Sequence, residues 1–213
     1  MNKLNRGFFR RAVFTAMLAA FAPTASAVDI VAIHPYLEFG LELGGDKLAE
    51  EPGGYGTVTI GAGAGFNLAG GALFDLQGEN LDGDFLVSAG YLDSNGDEAD
   101  FSATRLDLIY FFSNAGSLHR FGVGTTFHFN PRLEIDPDSG SGCIIYCFDS
   151  SFPVGTTDFD DAVGLSLRYE INFFPDWHEG GGATLGFRYT MIEYESDVKD
   201  VDASGLGIYL NVF

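Results

Sequence analysis

From about residue 31 onward, apolar side chains recur at every second position, and glycines, charges and amides fill the positions between. Residues 118–130 show it most cleanly. Phe121, Val123, Thr125, Phe127 and Phe129 form one face, and Arg120, Gly122, Gly124, Thr126, His128 and Asn130 the other. Side chains that alternate with a period of two belong to β-strands, whose successive residues point to opposite faces. The face that carries the charges is also the face that carries the glycines, as Gly61, Gly63 and Gly65, Gly122 and Gly124, and Gly205 and Gly207 show. Small residues suit the crowded inside of a narrow barrel. The pattern therefore predicts a barrel with its charges inside and its apolar side chains outside.

Eight strands fit the alternation. Strand one spans about 31–43, with Leu37, Phe39, Leu41 and Leu43 outward and Tyr36, Glu38, Gly40 and Glu42 inward. Strand two begins near Gly56, with Val58, Ile60, Ala62, Ala64, Phe66 and Leu68 outward and Asn67 inward. Strand three carries Phe85, Val87, Ala89 and Tyr91. Strand four, 101–112, turns Leu106, Leu108, Tyr110 and Phe112 out and Arg105 and Asp107 in. Strands five (118–130), six (158–173) and seven (183–194) place Arg120, Arg168, Glu170 and Arg188 inward. The last strand points Leu206, Ile208, Leu210 and Val212 outward. Residues 72–76 either prolong strand two or bulge strand three; a ninth strand would break the even strand number and would put the longest loop among the short turns. Short turns then fall within 69–84, at 113–117 and at 175–182, and long loops at 44–55, 93–100, 131–157 and 195–203. A soluble barrel of the lipocalin kind has the opposite polarity, apolar within and polar without.

The N-terminus adds an address. Lys3, Arg6, Arg10 and Arg11 precede an apolar run over 12–22, and Thr24-Ala25-Ser26-Ala27 supplies small residues for cleavage. The run is shorter than the roughly 20 residues of a membrane helix. Residues 1–27 therefore read as a secretory signal cleaved after Ala27, and 28–213 as one barrel domain. Removing the signal takes Lys+Arg from 11 to 7 against 30 acids, a net charge of −23. Such a charge argues against nucleic acid or anionic lipid surfaces as partners.

The chemistry-bearing residues sort into three groups. Glu38, Glu42, Arg105, Asp107, Arg120, Arg168, Glu170 and Arg188 share the inward face and are expected to pair into a lumen charge network, because an eight-stranded barrel has room only for its own side chains. Cys143 and Cys147 lie in the longest loop of an exported chain and are expected to form a disulfide. Acids crowd the long loops. Asp93-Ser94-Asn95-Gly96-Asp97 starts like a calcium loop, but the position that would close it is Thr104; no metal site and no cofactor are expected. A weak divalent-cation contact between these acids and lipopolysaccharide phosphates is the sharper alternative to a merely solvated surface. No catalytic set emerges. His128-Phe129-Asn130 lacks the serine of a lipid-deacylating His-x-Ser pair, and His34, His119 and His178 have no partner signature.

Taken together, the signal, the alternation, the short turns, the longer loops and a terminal aromatic make residues 28–213 resemble the small OmpA/OmpX-type eight-stranded barrels of Gram-negative outer membranes. The resemblance is architectural and carries over no functional residue. It implies an all-β, up-and-down antiparallel transmembrane barrel, monomeric, inserted by the barrel-assembly machinery and surrounded by outer-membrane lipid and lipopolysaccharide. The function it implies is non-enzymatic, in envelope structure or surface interaction; a narrow solute channel is the alternative, and a lipid-modifying enzyme a more distant one. Phe213 is expected to act as the assembly signal. It stands one step out of phase with the stripe ending at Val212, and it is expected among the aromatic residues at the periplasmic interface.

Overall fold

A computed structural model describes residues 28–53, 56–78, 82–113, 116–136, 149–173 and 182–213. The expected signal segment and both cysteines lie outside these residues. In chain order the strands are β1 (Asp29–Gly44), β2 (Lys47–Gly53), β3 (Gly56–Gly61), β4 (Gly65–Gln77), β5 (Asp82–Asn95), β6 (Ala99–Phe111) and β7 (His119–Ile135). Then follow β8 (Asp149–Ser150), β9 (Gly155–Asp158), β10 (Ala162–Asn172), β11 (Ala183–Met191), β12 (Glu193–Tyr194), β13 (Val201–Asp202) and β14 (Gly205–Val212). Eight of them, β1, β4, β5, β6, β7, β10, β11 and β14, pair antiparallel with their neighbours and close on themselves through β14–β1.

The register shows how the closure works. Register partners lead from Ile33 through Phe74, Phe85, Tyr110, Val123, Leu167, Tyr189 and Leu206 to Leu43, ten residues further along β1. A stagger of this size over eight strands tilts them by roughly 45° and leaves an interior that side chains can fill. Every residue on the circuit is apolar and lies on the outer face. The polarity is inside out for a soluble protein: the paired Phe39 and Leu210 are 55% and 56% exposed, whereas Glu38 and Asn211, the adjacent pair in register, are 0% and 2% exposed. This is the sign of a membrane barrel and the reverse of a lipocalin's.

At one end the polarity of the interior reverses. On β6, Arg105 and Asp107 point inward, but two and four residues further up the same face are Ala103 and Phe101, both buried in an apolar cluster. The outward residues change too, from Leu106 and Leu108 to Ser102 and the exposed Asp100. On β7 the change coincides with a bulge. Asn130 adopts a left-handed backbone (φ 48°), and the pairing shifts between Ser102 and Thr104. Asparagine tolerates that conformation better than most residues, and its N–H donates to Asp161 Oδ1 at 2.8 Å. Beyond the bulge, Leu133 and Ile135 turn inward. They join Leu48, Ile60, Phe152 and Phe159 in a cap whose aromatic centre packs Phe101 against Phe159 at 6.2 Å and Tyr194 at 5.8 Å. A three-stranded sheet, β3-β2-β8, and the β12–β13 pair form its walls.

These facts correct several boundaries. Strand two of the barrel begins at Gly65, not near Gly56; residues 56–61 form the outer hairpin, so Ile60 and Ala62 are buried in the cap instead of facing outward. Gly65, with φ +148°, begins the strand at the kink. Residues 72–76 prolong strand two, and the alternation resets because that strand ends at Gln77 and the next begins at Asp82. Asn130 is exposed, since the bulge removes it from the inward face. Strand five runs on to Ile135, into the expected loop. Tyr110 keeps its outward phase but is buried beneath Phe112, edge-on at 5.3 Å, with its hydroxyl donating to the Asp82 carbonyl.

Candidate functional site

The lumen holds the densest chemistry among the described residues. Alternation on each strand delivers one or two charged residues to the axis, and the narrow bore brings them into contact. All eight residues expected on the inward face are buried there. Glu38 on β1 is the hub. Its Oε1 accepts from Arg105 at 2.7 Å, Arg188 at 2.8 Å and Asn67 at 2.5 Å, and its Oε2 from Arg168 at 2.7 Å and the Tyr36 hydroxyl at 2.6 Å. Asp107 lies 2.7 Å from Arg168 Nη2 and 2.9 Å from Arg105 Nε. Glu42 completes the group with Arg188 and, at 3.4 Å, Arg105. Three guanidiniums thus meet three carboxylates. Desolvation of so many ions is tolerable only because each is opposed and hydrogen-bonded.

A second group sits nearer the turn end. Arg120 lies 2.9 Å from Asp84 and 3.2 Å from Glu170. Glu170 also accepts from the Tyr209 hydroxyl at 2.9 Å and Asn211 Nδ2 at 3.0 Å. The Arg120 guanidinium stands 4.1 Å over the Phe111 ring and 5.1 Å from that of Phe213. Cation–π contacts of this kind strengthen when water is excluded. Phe213 is therefore a floor to the lumen and not part of the outer aromatic belt. The alternation simply continues to the end of the chain, so Phe213 shares the inward face of Tyr209 and Asn211 and is 8% exposed. Its backbone exchanges two hydrogen bonds with Gly182, at 2.7 and 3.1 Å.

The other end is closed by the cap. His128 marks the seam, with Nδ1 2.5 Å from the Tyr194 hydroxyl. Burial raises the Tyr194 phenol above its ordinary value, so the hydroxyl keeps its proton and shares a hydrogen bond with Nδ1. The void beside Glu42, Arg105 and His128 measures about 10 Å³, room for a single water. Glycine makes this density possible: a Cβ on Gly186 would run into the Tyr209 ring, which lies across the bore.

Sequence reasoning missed Asp84, Tyr194 and the hydrogen-bonding roles of Tyr36, Asn67, Tyr209 and Asn211. Asp84 was legible one step before the outward Phe85, and Tyr209 and Asn211 by sharing a parity with Phe213. Tyr194 had no such signal. No group of three or more His, Cys, Asp or Glu among the described residues could hold a metal ion.

No family model matches the chain, and no curated protein matches it. Among solved structures it is similar to the crystal structure of Neisserial surface protein A, with 16% sequence identity and a TM-score of 0.43 over 85% of this chain and 98% of that one.

Proposed function

We propose that this chain is a non-enzymatic outer-membrane barrel that serves envelope structure or surface interaction through its acidic cap. The observation that carries the reading is the filled lumen: an aromatic floor, two ion-pair layers and an apolar roof stand in series along one axis. Such an interior supports a plug, while the apolar exterior supports residence in lipid. The surface left for contact is the cap, where Asp97, Asp100, Glu134, Asp136, Asp158 and Asp160 are all exposed. Lipopolysaccharide phosphates reached through divalent cations are a chemically suited neighbour for it. A disulfide between Cys143 and Cys147 would stiffen the longest loop of that surface.

Planar-bilayer recording of the purified barrel tests the plug. The expected trace stays at baseline; steady single-channel steps would replace the plug with a narrow solute channel. The assembly role of Phe213 has its own test. Deleting Phe213 is expected to slow membrane insertion in a pulse-chase assay of heat-modifiable migration, and insertion at the wild-type rate would remove that role.

A further inference from the structure

Every lysine and arginine beyond residue 27 can be placed. Lys47, Arg132 and Lys199 lie in the cap and its connections, and Arg105, Arg168 and Arg188 are shared by Glu38, Glu42 and Asp107. Among the described residues Arg120 is then the one Lys or Arg at the turn end, and it faces more acid than it can neutralise. Glu170 and Asp84 both touch it. Asp75 stands directly opposite Asp84 in the β4–β5 register. Directly paired residues of adjacent strands share a face, with Cβ atoms about 5 Å apart.

The three carboxyls are not equally provided for. Glu170 has two neutral donors besides Arg120. Asp84 is fully buried, Arg120 reaches its Oδ2, and its Oδ1 has no donor; Asp75 Oδ1 is likewise buried without one. Asp75 as a whole is half-buried, at the turn-side mouth of the lumen; two carboxylates opposed with their unpartnered oxygens shielded from water repel, and one proton between them removes the repulsion and supplies the missing donor. The other groups near the pair are the exposed Asp82 on β5, the half-buried His34 on β1, Tyr110 on β6, whose hydroxyl donates to the Asp82 carbonyl, Arg120 on β7 and Glu170 on β10. Arg120 opposes the negative charge that remains after one proton is bound. Asp82 and Glu170 oppose further ionisation.

We propose that Asp75 and Asp84 hold one proton between them and form a proton-binding site at the turn end of the lumen. The O–H of one carboxyl donates to an oxygen of the other, and release sends the proton to the turn-side solvent. The folded barrel then binds a proton that the unfolded chain, with ordinary aspartates, does not bind near neutrality. Stability therefore falls as pH rises through the release of that proton. The proposal stands on the lumen geometry and does not need the envelope role.

Infrared spectroscopy of the chelator-treated barrel in detergent reads the site directly. At neutral pH the wild type is expected to show the C=O stretch of a protonated carboxyl. Asp84→Asn and Asp75→Asn are each expected to abolish it, because either lone aspartate then ionises, while Glu170→Gln keeps it. No band in the wild type, or a band that survives in both aspartate variants, would overturn the assignment. So would a band that appears only after chelation, which would give the pair to a metal cation. Urea unfolding gives a second measurement that needs no variant. The wild-type midpoint is expected to fall from mildly acidic to mildly alkaline buffer, and a flat or rising midpoint counts against the site.

Discussion

Replacing Glu38 with glutamine is expected to lower the barrel's unfolding free energy by about 3–5 kcal/mol, the range for breaking a buried ion pair by removing one partner. The substitution keeps the shape of the side chain and one acceptor oxygen, so Asn67 or Tyr36 retains a partner. What it removes is the charge that Arg105, Arg168 and Arg188 share. Asp107 and Glu42 would then face three guanidiniums alone, with one positive charge left over in a bore without room for a counterion. Glu42→Gln is expected to cost less, because its carboxylate serves two of these arginines and not three. Urea titration of heat-modifiable migration in detergent measures both. A loss below about 1 kcal/mol for Glu38→Gln, the scale of exposed pairs, would mean that solvent reaches the network.

The parts of this fold that were legible are those in which one physical rule acts alone. Along Val163–Phe173 and Leu206–Val212, lipid outside and a packed lumen inside make alternation sufficient, and the strands follow it. The eight charged lumen residues were legible for the same reason, since charge on the glycine-rich face has nowhere to go but inward. The cap was not. Alternation reports that a strand has two different faces, but it does not say what lies against each. Ile60 and Ala62 continue the apolar phase of Phe66 and Leu68, yet a turn at 62–64 separates them, and they are buried in protein. Asn130 shows a second limit, because one extra residue in a bulge exchanges the two faces for the rest of the strand. The partnership of His128 with Tyr194 joins residues that only the closed cap brings together.

Truncating Phe101 to alanine is expected to cost the cap about 3–5 kcal/mol, the range for removing a buried phenylalanine, and to leave the barrel standing. Phe101 is fully buried and touches both other rings of the aromatic centre, Phe159 and Tyr194. Its loss leaves a void where β6, β9, β10 and β12 converge, and nothing in the lumen can move up to fill it. Six residues along the same strand face, Asp107 belongs to a network that makes no use of that ring. The two layers obey different physics, apolar packing above and ion pairing below, and they meet chiefly at the His128–Tyr194 seam. Hydrogen exchange should therefore show faster opening at Leu133, Ile135 and Tyr194 and unchanged protection along β11 and β14. Protease added from outside should cut the variant's cap while heat-modifiable migration of the barrel persists. If Phe101→Ala lowers the barrel's urea midpoint along with cap protection, roof and lumen unfold as one cooperative unit, and the seam couples them more tightly than one hydrogen bond suggests.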